Sequence, residues 1–259
     1  MAETKTGAES IHWRLQDLYS GREDPQLRQD MDWAAAAASE FARRYRVDFT
    51  ILSAAELAQA MQDLEALRSR LARVGAYRYL SYVTHADDPL YGAALQQYQE
   101  QATQIGNQLV FFDIAWNGLA AERAEALLRA PELAHWAHLL RNWRNYAAHL
   151  RNEAEEQILA EKAVTGRSLW ERLFDETLTE MRFSLRSKEL SEQEVLSKLS
   201  HPDRSLRKDA AEALSQGLGT RLHTLTFCFN AVLADKALDD RLRRYPHWQI
   251  GRASCRERV

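Results

Sequence analysis

The stretch Asp24-Pro-Gln-Leu-Arg-Gln-Asp-Met-Asp-Trp-Ala-Ala-Ala-Ala-Ala-Ser-Glu-Phe-Ala-Arg-Arg-Tyr45 decides the fold class. An Asp before a Pro supplies an N-cap acceptor and a first-turn residue that has no amide to satisfy. Behind them Leu27, Met31, Ala35, Ala38, Phe41 and Tyr45 recur at helical spacing and make one apolar face. The alanine run Ala34 to Ala38 favours helix and lets a neighbouring helix approach closely.

The same grammar repeats downstream. Ser53-Ala-Ala-Glu56 is a capping box opening a stripe through Leu57, Met61, Leu64, Leu71 and Val74 toward Tyr82. Asp88-Pro89 opens a third, read as one long helix through Leu95, Tyr98, Ala102, Ile105, Leu109, Phe112 and Trp116. Short connections predict that these three pack as antiparallel neighbours. After Gly118, Pro131 is expected to start a helix through Leu133, Trp136, Leu140 and Trp143, and Asn152 with Glu155 caps another that Gly166 interrupts. The apolar period shortens to two in Glu180-Met-Arg-Phe-Ser-Leu185, which predicts one short hairpin turning over Arg186 to Glu189. Ser191-Glu-Gln-Glu194 and His201-Pro202-Asp203 mark two more helix starts, and a last helix runs from about Thr220 through Phe229 to Lys236. The chain is therefore expected to be mainly α, a multi-helix assembly with at most one short β-hairpin.

Composition narrows the function classes. The 259 residues carry 10 Gly and 5 Pro, few breakers for that length, as long helices require. Net charge is −3 from 34 basic and 37 acidic side chains, which gives no electrostatic case for a nucleic-acid or anionic-membrane partner. The first ten residues are polar, and no apolar stretch is long enough to span a bilayer. Two cysteines, Cys228 and Cys255, are too few for a disulfide framework and fit a cytoplasmic protein.

Residue chemistry by itself yields no active site. None of the eight histidines is followed by Glu, so HExxH is absent, as are GxSxG, GxxxxGK[ST] and GxGxxG. His135 and His138 are expected three apart on one helix and could face a metal, but no third ligand has a motif-like spacing. His149 and Glu153 are separated by the Asn152 cap. Asp235, Asp239 and Asp240 around Lys236 and Arg241 read as charge pairing at helical spacing. Cys228 reads as a buried inert thiol, and the seven tryptophans, Trp13, Trp33, Trp116, Trp136, Trp143, Trp170 and Trp248, as core. No catalytic, cofactor-binding or metal residue is assigned. On these residues alone a non-catalytic, all-helical peptide- or protein-binding module is an open reading, and a metal-binding or electron-transfer protein built on His135 and His138 another.

The order of several short pieces adds a resemblance. Trp13-Arg-Leu-Gln-Asp-Leu-Tyr19 is followed by Glu155-Glu-Gln-Ile-Leu159, Thr165-Gly166 and Trp170-Glu-Arg-Leu-Phe174. Then come Asp203-Arg-Ser-Leu-Arg207 with Ala210-Ala211, and Phe229-Asn230, Leu233-Ala-Asp-Lys236, Asp240-Arg-Leu-Arg243 and Tyr245-Pro246 with Trp248. This series resembles the oligoendopeptidase F family, zinc metallopeptidases akin to thimet oligopeptidase. The resemblance implies a mostly helical fold whose two halves flank a deep channel open to short peptides. It implies zinc held by the two His of HExxH and a downstream Glu, with the motif Glu as general base. Those groups lie in the family's C-terminal half, so none is carried over to a residue here.

What the resemblance leaves for this chain is a zincin-type N-terminal lobe. Residues 1–117 would be a long-helix bundle, 118–190 the oligopeptidase F-type helical domain, and 191–249 the truncated start of the catalytic domain. Zinc and oligopeptide substrates would belong to the full-length parent, a cytoplasmic metalloendopeptidase, and the present chain would be inactive alone. The final segment, Ile250-Gly-Arg-Ala-Ser-Cys-Arg-Glu-Arg-Val259, lacks any apolar period and departs from the family just after Trp248. It matches a translated frame of a sequencing-library adapter, and residues 250–259 are expected to be an artefact foreign to the fold.

Overall fold

Asp24 accepts a hydrogen bond from the Gln26 amide at 2.9 Å, and from there helix α1 runs Pro25–Tyr45. The computed structural model describes residues 13–249; the adapter-like segment lies outside them. Helix α2, Ala54–Thr84, begins at Ser53 with the capping box closed in both directions. Helix α3, Pro89–Asn107, begins at Asp88, whose carboxylate accepts from the Leu90 amide at 2.9 Å. Each cap satisfies amides that the first helical turn leaves without an internal partner.

The three helices are antiparallel neighbours. Tyr45 on α1 donates to Asp63 on α2 at 2.6 Å, while Arg70 reaches back to Asp30, so the chains run in opposite directions. Tyr98 on α3 donates to the Leu71 carbonyl, and Gly92 lies against Tyr82. Gly75 has a specific task in that contact: a Cβ there would sit 2.7 Å from Cζ of Tyr98, so only glycine lets the phenol cross α2.

The third stripe is not one helix. It breaks at Gln108 and Leu109, and α4 restarts as Val110–Gly118. Gly106 and Asn107 hold weakly to a helix, and the break swings Phe112 and Trp116 fully into the core against Phe41 and Phe49. Helix α5, Ala121–Leu128, follows without any side-chain cap, which is why the sequence did not announce it. Pro131 starts only a 3-10 turn, Pro131–Leu133, and α6 occupies Ala137–Arg144. Trp116 ties this segment down by donating from Nε1 to the Leu140 carbonyl at 2.9 Å. Arg144 closes the C-terminus of α4 on the Trp116 and Leu119 carbonyls, both at 2.8 Å.

Helix α7, Glu153–Thr165, starts at the Asn152 capping box and gives way at Gly166 to α8, Arg167–Glu180. Strands β1, Phe183–Leu185, and β2, Lys188–Leu190, form the hairpin, in register Phe183 with Leu190 and Leu185 with Lys188. Its turn is tighter than expected: only Arg186 and Ser187 make it, both at positive φ, and Lys188 and Glu189 already belong to β2. That conformation strains two non-glycine residues, and Arg186 is held in it by Asp209 at 2.5 Å and Ser205 at 3.1 Å. Helix α9, Glu192–Lys198, leads to α10, Arg204–Thr220, and a kink at Arg221 separates α10 from α11, Leu222–Leu242.

Two main cores result. The larger joins Ala34 and Phe41 of α1, Leu57, Leu64 and Leu67 of α2, and Phe112 and Trp116 of α4. The smaller packs the hairpin residues Phe183 and Leu185 against Val195, Ala210 and Ala213. The tryptophans divide rather than all being core: Trp116 and Trp136 are buried, but Trp13, Trp33 and Trp248 are exposed. For Trp33 the reason is visible, because Arg70 covers its ring at 4.0 Å and substitutes for burial.

Candidate functional site

Histidine positions come first, since they are the strongest ligand candidates. His135 is not on a helix; it lies in the turn between Pro131–Leu133 and α6, with its ring edge-on to Trp136 at 4.9 Å. His138 is on α6 and pairs through Nε2 with Asn142 Nδ2 at 3.1 Å. The α6 start at Ala137 therefore separates the two rings into different backbone settings, and the shared helical face does not form. His149 stacks on Tyr245 at 4.0 Å and places Nδ1 2.8 Å from the Arg243 carbonyl. Among the described residues no three His, Cys, Asp or Glu side chains come together in a way that could hold a metal ion. The described residues therefore offer no donor set that fits a catalytic zinc.

The acidic cluster on α11 pairs internally, with one change of partner. Lys236 bonds Asp240, which is buried, as spacing suggested. Asp239 is held by Arg243 at 2.8 Å, not by Arg241, because four residues separate Asp239 from Arg243 and only two from Arg241. Arg243 then grips both oxygens of Glu156 on α7, at 2.7 and 3.0 Å. Burial alone would lower the Arg243 pKa, but the Glu156 and Asp239 carboxylates reverse this and hold the guanidinium firmly charged. This clamp fixes the C-terminal end of α11 to α7. The sequence carried its signal only as an Arg four residues after an Asp, which is common on helix surfaces.

Next to the clamp lies a cleft of about 440 Å³, between α2, α4, α6 and the segment leading to α7. Arg68 faces Asp113 across it at 3.6 Å and covers the Trp143 ring at 5.2 Å. Val110, Ile114, Leu139 and Leu150 supply an apolar wall. With Arg68, Asp113 and Asn142 at its edges, the cleft can hold a small group with one apolar and one polar side. Nothing in it resembles a nucleophile with a base beside it.

The remaining unusual surface is α11 itself. Cys228 faces inward and is buried, as expected of an inert thiol. Phe227 and Phe229 on either side of it are not core: they are 54 % and 60 % exposed, and Leu222, Leu233 and Leu238 are exposed with them. Phe227 packs against Trp170 of α8, with ring centroids 5.3 Å apart. From Leu222 to Leu238 the acidic and basic side chains are Asp235 and Lys236, both half-buried, with Lys236 in line with Phe229 and Leu233. The exposed side of α11 therefore mixes Leu222, Phe227, Phe229 and Leu233 with the polar His223, Thr226 and Asn230.

Comparison with known proteins agrees with this picture. Residues 116–183 match the N-terminal family model described as Oligopeptidase F. The solved structure of oligoendopeptidase-F from Enterococcus faecium superposes with a TM-score of 0.69 at 15% identity, over 87% of this chain and 46% of that one. A structure described as a peptidase of Chlamydophila abortus gives 0.50 at 19% identity, over 92% of this chain and 42% of that one. A further oligoendopeptidase F structure gives 0.61 at 16% identity, over 92% and 38%. The chain thus spans less than half the length of these structures, and its helical fold with one hairpin is that of part of oligoendopeptidase F. No curated protein matches the chain.

Proposed function

We propose, from the oligopeptidase F segment carried at residues 116–183, that this chain is the N-terminal lobe of a cytoplasmic zinc metalloendopeptidase acting on short oligopeptides. The observation that carries the reading is the fold: one arrangement of helices and a single hairpin covers 87% of this chain and only 46% of an oligoendopeptidase-F. In this reading the zinc ligands and the general base come from the part of the enzyme that these residues do not include. The lobe's own chemistry is scaffolding. Its α1–α4 bundle and the Arg243–Glu156 clamp give a rigid wall, and peptides would be held between that wall and the catalytic half. The partition into 1–117, 118–190 and 191–249 belongs to the same proposal.

The test is a quenched fluorescent peptide with and without added zinc, together with metal analysis of the purified chain. No turnover and no stoichiometric zinc are expected of the 259 residues. Chelator-sensitive hydrolysis by this chain would overturn the proposal, because it would require a complete metal site within these residues.

A further inference from the structure

We infer that the cleft between α2, α4, α6 and the segment leading to α7 binds a free α-amino acid with an aliphatic side chain, such as leucine. Arg68 and Asp113 stand there 3.6 Å apart, too far for a hydrogen bond, with side chains 45 % and 38 % exposed. The pair is therefore open, a cation and an anion side by side at the cleft. Arg68 lays its guanidinium over the Trp143 ring at 5.2 Å, which fixes its plane and leaves the N–H edge for an acceptor. An α-amino acid carries its carboxylate and its ammonium on one carbon. With the carboxylate on Arg68 and the ammonium on Asp113, two charge-assisted hydrogen bonds of about 2.8 Å close a four-cornered ring with the 3.6 Å gap.

The rest of the lining fits the same solute. Asn117 donates from Nδ2 to the Asp113 carbonyl at 2.8 Å, and Asn142 donates from Nδ2 to His138 at 3.1 Å. Both amide nitrogens are thus committed, and the Asn117 Oδ1 is buried without a partner. The polar atoms left over beside Asp113 are oxygens, which suits an ammonium with three donors. Val110, Ile114 and Leu150 form an apolar wall, and Leu139 stands 41 % exposed beside them, ready to cover an aliphatic side chain. A cleft of about 440 Å³ is of the size that takes a small molecule. The paired charges also select against other occupants. A segment of protein brings its side-chain ions singly, and a single ion there meets one member of the Arg68–Asp113 pair as a like charge. A peptide holds its terminal ammonium and carboxylate at least one peptide unit apart, too far to close the ring. The inference stands on this cleft and not on the peptidase reading, so each can fail without the other.

Calorimetric titration of the full chain with L-leucine tests it. One saturable site is expected, with a Kd of about 1 mM or tighter. Isocaproate lacks the ammonium, isopentylamine lacks the carboxylate and glycine lacks the side chain; each should bind about 10-fold more weakly or worse. Leucyl-leucine, whose two charges sit on different residues, should weaken to the same degree. Arg68→Met and Asp113→Asn should each cost about 10-fold in leucine affinity, with circular dichroism unchanged because both side chains are partly exposed. The analogue series needs no variant, so it decides the matter even where a variant misfolds. No saturable leucine binding, any of the four analogues binding as tightly as leucine, or an affinity that both folded variants leave intact overturns the inference.

Discussion

Asp30 is 3 % exposed, and polar neighbours surround its carboxyl group. Tyr19 donates to it at 2.7 Å, Gln26 at 2.8 Å, and the Arg70 guanidinium stands 3.7 Å away. Burial first, and then the Asp30 carboxylate, push the Tyr19 phenol well above its ordinary pKa, so it remains a donor throughout the useful pH range. Tyr19→Phe should therefore destabilise the chain by about 1.5 kcal/mol, the worth of a hydrogen bond to a charged acceptor, read as a lower urea midpoint at unchanged slope. Arg243→Ala should do more, about 3 kcal/mol, because it leaves Glu156 largely buried without the guanidinium that now grips both its oxygens. Neither role was legible from sequence. Asp30 interrupts the apolar stripe of α1 as any surface acid would, and Arg243 is one of several arginines near the end of α11.

At the scale of elements, caps were the most legible feature, because a cap is a local event. Asp24, Ser53, Asp88, Asn152, Ser191 and Asp203 each accept from a first-turn amide, and each was visible as a residue type beside a stripe. Breaks without caps were illegible. The split between α3 and α4 depends on Phe112 and Trp116 reaching a core built mostly by α1 and α2, information that no local window contains. Gly217 shows the same dependence on distant partners. A Cβ at this position in α10 would come within 2.3 Å of the Phe183 ring, which is fully buried in the hairpin core. Gly217→Ala should thus destabilise by about 2 kcal/mol despite alanine's better helix propensity, lowering the melting midpoint by roughly 4 to 8 °C.

For the whole molecule, acid should loosen the fold through its caps. Hydrogen bonds from Ser20 and Gln26 hold Asp24 below its ordinary 3.8, and hydrogen bonds from Ser53 and Ser191 hold Glu56 and Glu194 below 4.5. Glu153 is lowered in the same direction by its hydrogen bonds from Arg46. A depressed native pKa means that the unfolded chain takes up protons first. This stabilisation is complete above about pH 5 and is lost as pH falls through and below the ordinary carboxylate values. Urea midpoints should be flat from neutrality to about pH 5 and then decline, and Glu56→Gln should shallow the decline.

The same scale holds the functional question. The sequence made the helical class legible through its caps and periods, and the oligopeptidase likeness through the order of its short motifs. It could not make α11 legible as a surface, because a helix with this many apolar residues reads as core until its neighbours are counted. Within the described residues that helix has neighbours on one side, chiefly α8, and an open apolar arc on the other. In the proposed function this arc and the bundle behind it form one lobe of a longer peptidase. The most direct measurement is the genomic sequence of the source locus beyond the codon for Trp248. If the proposed function holds, the open frame continues through a helical region to HExxH and a downstream Glu. An in-frame stop directly after that codon would contradict it.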